Sequence, residues 1–322
     1  MAMAFASRIR SVIDSIRLRR ERRRLRLLGD AAAVARFDRL RGRYADVVAS
    51  LSVPGLTRSD GGSGYPWSEW ELEIFEAFRG GVPRGFLSHR RINGTMVARP
   101  SPQLSDRIER VVEAFGPERA QQLLREDAVG EPELPEDTYL TSANRAHHAY
   151  HLATYRQRTG RDPWTCDGVV EWGGGYGDMA RLFRRAAPGL TYVIVDLAPL
   201  LALQWAYLAS LEGEEAVHLV TVAAPEILPG KVNLVESALV TRGGISLRPD
   251  LFLSTWAATE SPPAAQAFLV TERFFGAPRL LLAYKRDASN GLLDALAQAG
   301  CDRVTVDALE AEGHRGHEYA FR

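Results

Sequence analysis

Cysteine is nearly absent from this sequence: of 322 residues only Cys166 and Cys301 are thiols. Two cysteines cannot build a disulfide framework or a cysteine-based zinc site, so the expectation is reduced core thiols in a cytoplasmic protein. Lysine is as scarce, with Lys231 and Lys285 standing against 38 arginines. A Schiff-base or Tyr-x-x-x-Lys mechanism would have to use one of these two lysines. The positions four residues before them are Ile227 and Leu281, so no such Tyr/Lys pair exists. No apolar run reaches the roughly 18 residues of a membrane span, and none is expected. The N-terminus has no apolar h-region and carries arginine early, so it does not read as a secretory signal.

What is present is ordinary globular composition, 46% apolar and 25% charged, with ample material for a core. The formal net charge is zero but unevenly spread: residues 1–50 hold 13 arginines against 5 acids, and the remainder is acidic. Phe5, Ile9, Val12, Ile13 and Ile16 mark one apolar face of a helix over 5–28, followed by an Arg-rich run at 17–26. Such a run is usually a solvated face, with contact to an anionic membrane surface or glycolipid as its functional alternative. Nucleic acid is not expected as a partner, because the body of the chain is acidic.

The pattern divides the chain into a helical region over 1–140 and an α/β region over 141–322. In the first, helices are predicted near 67–80 and 101–125, with a Gly/Ser/Pro loop at 53–66 and an acidic, proline-containing connector at 126–136. A helix over 142–158 follows, capped by Thr141 or Ser142. Beyond Gly168, apolar β-rich runs at 169–172, 191–196, 217–222, 251–256 and 279–284 alternate with helical stretches at 177–187, 198–212, 262–275 and 290–299. This alternation predicts a mostly parallel sheet covered on both faces. A short strand at 231–236 is also predicted. The final segments, 303–307 and 318–322, are joined by too few residues for a crossover helix and must be antiparallel.

The chemistry concentrates in Val169-Val-Glu-Trp-Gly-Gly-Gly-Tyr-Gly177-Asp-Met-Ala-Arg-Leu-Phe183. A strand ends in an acid, a glycine turn lets a ligand approach the backbone, and a helix begins. Asp196 ends the next strand, where an acid can accept from both hydroxyls of a ribose. A dinucleotide fingerprint is met loosely by Gly175, Gly177 and Ala180. Against a nicotinamide cofactor stand Glu171 directly before the glycines, which suits a cation and not a pyrophosphate, the missing Tyr/Lys pair, and the terminal hairpin.

The order acid-x-Gly-x-Gly-x-Gly, strand, acid resembles the class I S-adenosylmethionine-dependent methyltransferases over residues 168–322. A closer resemblance is to the putative bacterial sugar O-methyltransferases. It is carried by the 169–183 string, by Tyr192-Val-Ile-Val-Asp-Leu-Ala-Pro-Leu-Leu-Ala-Leu-Gln204 with Trp205, and by Asp250-Leu-Phe-Leu-Ser-Thr-Trp-Ala-Ala-Thr-Glu260. Where that family tends to have a Ser-x-x-Glu-Met-like turn, this chain has Ala257-Ala-Thr-Glu-Ser261, without the methionine. The resemblance implies a Rossmann-like core with a mostly parallel, seven-stranded sheet ending in an antiparallel hairpin, under a helical N-terminal cap. It further implies S-adenosylmethionine as methyl donor. Glu171 would lie near the methionine amino group, Gly173, Gly174, Gly175, Tyr176 and Gly177 beneath the methionine and ribose, Asp196 at the ribose and Leu197 at the adenine.

Ligands of open α/β sheets bind at the carboxyl ends of the strands. That rule selects Ser254, Thr255, Trp256 and Glu260 after the fourth core strand, and His314 and His317 near the last. It also selects Asn144, Arg145, His147 and His148 at the start of the 142–158 helix. A hydroxyl acceptor needs a base, for which Glu260, His147, His148, His314 and His317 are the candidates. Arg145 and Trp256 are candidate acceptor contacts. His147 and His151 have metal-ligand spacing, but no nearby acid completes a site, and no metal is expected. The expected reaction is O-methylation of a sugar hydroxyl in a polysaccharide, glycolipid or glycosylated natural product. A nicotinamide-dependent sugar oxidoreductase and a non-catalytic scaffold are the alternatives. The helical cap would act as a lid or as a homodimer interface.

Overall fold

In a computed structural model of the chain, the described residues are 25, 27–52, 66–285, 291–305 and 317–322. Most of the expected N-terminal arm and His314 lie outside them. Helices α1 (Ala31–Leu40), α2 (Tyr44–Leu51), α3 (Trp67–Phe78), α4 (Arg90–Thr95), α5 (Leu104–Phe115) and α6 (Pro117–Leu124) precede the long α7 (Ala143–Thr159). The sequence predicted one helix over 101–125. Gly116, at φ +78°, and Pro117 in the first turn of α6 divide it into two.

The α/β part runs β1 (Gly168–Trp172), α8 (Asp178–Ala186), β2 (Thr191–Asp196), α9 (Ala198–Glu212), β3 (Val217–Val220), β4 (Val232–Glu236), α10 (Ser237–Thr241), β5 (Leu251–Thr255). It continues α11 (Ala257–Glu260), α12 (Pro263–Thr271), β6 (Arg279–Lys285), α13 (Leu292–Gln298), β7 (Asp302–Thr305), β8 (His317–Phe321). The strands form one sheet in the order β3-β4-β2-β1-β5-β6-β8-β7. All neighbours are parallel except β6–β8 and β7–β8, which are antiparallel. The Rossmann-like architecture with its terminal hairpin is as expected, but the sheet has eight strands and not seven. β4 takes the place beside β2, and the 217–220 segment is pushed out to form an additional edge.

Strand alternation divides the core in two. Val169, Ile194, Leu234, Leu251, Leu253 and Leu281 face α7–α9 and the N-terminal helices in one continuous apolar cluster. Val170, Val193, Val195, Val235, Phe252 and Leu282 face the other side with Leu239, Leu269 and Leu296. Helix α9 is buried over its whole length from Ala198 to Ser210, which explains a sequence apolar all round. No helix among the described residues is long and apolar enough to cross a membrane.

The acidic connector departs most from its reading. Glu126 and Asp127 are buried, not solvated. They meet the Arg145 guanidinium, whose Nη2 lies 2.8 Å from Glu126 Oε1, 2.9 Å from Asp127 Oδ2 and 2.8 Å from Asp178 Oδ1. Arg181 and Arg185 approach Asp127 Oδ1 at 2.9 and 2.7 Å. Burial pushes the Asp127 carboxyl up, but Arg185, Arg181 and Arg145 outweigh it and hold the group well below the usual carboxylate range. Removing one partner of such a cluster strands buried charge at a cost of about 3–5 kcal/mol. Arg145→Met is therefore expected to lower the urea midpoint by that equivalent. Arg145→Lys should recover part of it, since the three carboxylate contacts converge on one nitrogen, Nη2. An Arg145→Met chain with unchanged midpoint would contradict the assignment.

Candidate active site

The sheet's connections reverse direction between β1 and β5, and there a cavity of about 1330 Å³ opens at the strands' carboxyl ends. Its floor is the glycine turn. Gly173 (φ +79°) and Gly175 (φ +56°) adopt backbone conformations that side chains resist. A Cβ on Gly173 would fall on that of Ala257, and one on Gly174 would lie 2.6 Å from Ile194 Cγ2. The turn is tied down by its own acid: Asp196 Oδ2 accepts from Gly174 N–H at 3.0 Å and from Gln204 Nε2 at 2.8 Å. Gln204 Nε2 also donates to the Gly175 carbonyl at 2.9 Å. Asp196 Oδ1 accepts from Leu197 N–H at 2.8 Å.

Four carboxylates border this cavity with raised proton affinities. Burial pushes Glu171 up to about 8, partly opposed by the Tyr192 hydroxyl that donates to its Oε2 at 2.9 Å. Burial pushes Asp196 up to about 6 against its three hydrogen bonds. Glu236, at the end of β4, rises to about 7 through burial while accepting from Ala238 N–H at 2.7 Å. Glu260 rises to about 7 through burial, with Lys285 Nζ 3.4 Å from its Oε1 acting in the opposite sense.

Most of the sequence-selected residues border the cavity: Glu171, Gly173, Gly174, Gly175, Tyr176, Asp196, Leu197, Thr255, Trp256, Glu260, His147, His148 and His317. Three do not. Arg145 is 0% exposed within the carboxylate cluster and cannot touch an acceptor. Ser254 is buried, its hydroxyl donating to the Trp172 carbonyl at 2.9 Å and accepting from Ala258 N–H at 3.0 Å. Gly177 is a packing glycine at φ +100°, where a Cβ would meet Leu208 Cδ1 at 3.2 Å. Among the described residues no group of three or more His, Cys, Asp or Glu side chains could hold a metal ion.

Trp256 forms part of the cavity wall just past the end of β5. Its indole donates from Nε1 to His317 Nδ1 at 2.7 Å, and its ring stacks on His147 at 5.4 Å and 7°. His148 Nδ1 lies 2.8 Å from Asp178 Oδ2, the first residue of α8. Sequence reasoning missed Glu236, and also Trp67, Trp70, Glu71 and Met96, which reach the cavity from the N-terminal helices. Glu236 was legible in principle, as an acid ending a strand like Asp196. The others carry no local signal, because only the tertiary fold brings α3 and the 96–103 segment over the sheet.

No protein-family model matches the chain, and no curated protein matches it. Solved structures do. "PigF with SAH" is 16% identical, with 96% of this chain and 98% of that one covered and a TM-score of 0.37. An O-methyltransferase family protein from Burkholderia thailandensis is 14% identical, with 96% and 97% covered and a TM-score of 0.34. The S-adenosylhomocysteine-bound Podospora anserina methyltransferase PaMTH1 is 12% identical, with 81% and 98% covered and a TM-score of 0.32. At these values the likeness transfers no chemistry.

Glu171 has the largest consequence for stability. Its proton affinity in the fold, about 8, lies above the ordinary 4.5. Its contribution is thus fully present below pH 4.5 and is lost as the pH rises towards 8. Each tenfold in proton affinity is worth about 1.4 kcal/mol. Glu171→Gln removes that loss, so above pH 8 the variant is expected to be more stable by about 2–4 kcal/mol, with little difference at pH 4. Urea denaturation across this range checks it, and a pH-independent gap would remove Glu171 as the cause.

Proposed function

We propose that this chain is an S-adenosylmethionine-dependent O-methyltransferase. The observation that carries the reading is the Glu171 carboxyl, buried at the glycine turn and bordering the cavity, where a cation would relieve its raised proton affinity. An amino acid's ammonium group meets that need; a pyrophosphate would oppose it. The residues fit the rest of such a cofactor. The Gly173–Gly175 backbone admits a close ligand that side chains would exclude. A carboxylate offers about four acceptor directions, of which Asp196 uses three within the protein, leaving one for a ribose hydroxyl. Bound there, the cofactor supplies an electrophilic methyl group on its sulfonium.

A volume of about 1330 Å³ exceeds what one drug-sized ligand takes, so donor and acceptor fit together. The acceptor side offers Trp67, Trp70 and Trp256 beside Asn93, Ser101 and Gln103, and an apolar wall with Phe268. Aromatic faces suit the C–H surface of a sugar ring, and amides and hydroxyls suit its hydroxyl groups. The acceptor we favour is a sugar hydroxyl on a molecule with an apolar portion, such as a glycolipid or glycosylated natural product.

The test is titration calorimetry with S-adenosylhomocysteine, with NAD(H) and NADP(H) as controls. Micromolar binding of the homocysteine nucleoside alone is expected. Binding of a nicotinamide cofactor in its place would make the chain an oxidoreductase, and binding of neither would favour a scaffold. Asp196→Ala should weaken S-adenosylhomocysteine roughly tenfold, the value of about one hydrogen bond to a charged acceptor. Unchanged affinity would refute the ribose assignment.

A further inference from the structure

We infer that His148, oriented by Asp178, is the general base that takes the proton of the acceptor hydroxyl. This rests on the O-methyltransferase reading and deepens it. Four histidines converge on the acceptor side: His147, His148 and His151 from α7, and His317 from the start of β8. Hydrogen-bond polarity separates them. An ionised carboxylate only accepts, so His148 must donate from Nδ1 to Asp178, and its neutral ring keeps the lone pair on Nε2. The His148 side chain is 15% exposed and borders the cavity, so Nε2 is the nitrogen an acceptor meets.

His317 has the opposite polarity. An indole N–H only donates, so His317 Nδ1 accepts from Trp256, and the neutral ring carries its proton on Nε2. Neither nitrogen can then take a further proton without breaking that bond. His151 is fully buried, bonded through Nδ1 to the Tyr319 hydroxyl, and does not border the cavity. His147 stacks on the Trp256 ring and meets His151 edge to face, the three rings forming a triangle in which it supports the indole. Glu260 is paired with Lys285.

The groups facing His148 are Asp178 from α8 and, on its own helix, His147 and His151. Behind Asp178 stands Arg145, 2.8 Å from its other oxygen. Burial raises the proton affinity of Asp178, but Arg145 and His148 outweigh it and keep the carboxylate ionised. Asp178 is a positioning residue, and because it directly follows the glycine turn it fixes the base relative to the cofactor cradle. In the step, the acceptor's O–H proton passes to His148 Nε2 while an oxygen lone pair forms the bond to the methyl carbon. The C–S bonding pair returns to sulfur, leaving a methyl ether, a neutral thioether and an imidazolium facing Asp178.

The experiment is nitrogen NMR of the full chain labelled in its histidine rings, with and without S-adenosylhomocysteine. His148 is expected as the Nδ1–H tautomer and His317 as the Nε2–H tautomer. Asp178→Asn should abolish the preference at His148 and leave His317 unchanged. An Nε2–H tautomer at His148 in the wild-type chain overturns the inference. Diethyl pyrocarbonate, which attacks ring lone pairs, should label His148 faster than His151 or His317, and slower labelling also overturns it. In methyl transfer to octyl glucoside, His148→Gln should lower kcat about 100-fold or more. Its S-adenosylhomocysteine affinity should stay within about threefold, and Glu260→Gln should lower kcat less than tenfold. The reverse ranking moves the base to Glu260. No transfer by the wild-type chain counts against the proposed acceptor, and no S-adenosylhomocysteine binding against the proposed cofactor. The tautomers decide the base assignment in either case.

Discussion

The Arg145 guanidinium, buried among three carboxylates, is the constraint on which the rest depends. Its carboxylate partners come from two places: Glu126 and Asp127 from the connector, and Asp178 from the start of α8. Ser142 caps α7 by accepting from Arg145 N–H at 3.0 Å and donates to Glu126, so the helix start belongs to the same network. The Tyr207 hydroxyl joins it from α9, 3.1 Å from Arg145 Nη2. Such a cluster does not gain much stability over an apolar core of equal volume. What it does is geometric. Three carboxylates converging on one nitrogen, Arg145 Nη2, hold connector, helix and glycine turn together at a single point. The connector also reaches the N-terminal helices, since Asp30 Oδ2 accepts from Ala128 N–H at 2.8 Å. The His148–Asp178 pair and the glycine turn are therefore tied through this network to the N-terminal helices.

The crevice itself is electrostatically unsettled, and usefully so. Four acids with proton affinities near 6 to 8 border one cavity, the reverse of what stability would favour. Arg145 meets its own three carboxylates and none of these four. A ligand with an ammonium group, a sulfonium and several hydroxyl donors would satisfy them. Groups with perturbed proton affinities clustered in one cleft are what a binding site for a ligand of matching charge provides. A dinucleotide would bring two phosphates into the same place and raise the potential further.

Much of this was legible in the sequence, because the signals were local. A strand ending in an acid, a glycine turn and a second strand ending in an acid put Glu171, Gly173 and Asp196 together without reference to anything distant. Arg145 shows where local reading stops. Near the start of a helix that leads to the site, it looked like an acceptor contact, but its burial is decided by Glu126 and Asp127, 19 and 18 residues earlier in a segment that read as an acidic connector. Asp178 stood inside the most informative string and was passed over, since its partner His148 lies 30 residues away. The count of seven strands came from the resemblance, while the eight segments marked along the chain are the eight strands of the sheet. Strand propensity identified both 217–222 and 231–236, but which of them pairs with β2 is a tertiary choice.

Trp256 shows how cradle and acceptor platform are made into one unit. It has φ +68°, a conformation a bulky residue adopts only when its surroundings enforce it. Its N–H donates to the Ala283 carbonyl at 2.7 Å, its own carbonyl accepts from Thr259 N–H at 3.0 Å, and the indole is fixed by His317 and His147. The next residue, Ala257, occupies the space where Gly173 would carry a side chain. Only a glycine on β1's turn and a small residue after Trp256 let the two loops approach this closely. The strain at Trp256 and the missing side chain at Gly173 are thus two halves of one contact. It sets Trp256 beside the glycine turn, so that neither loop can shift without the other.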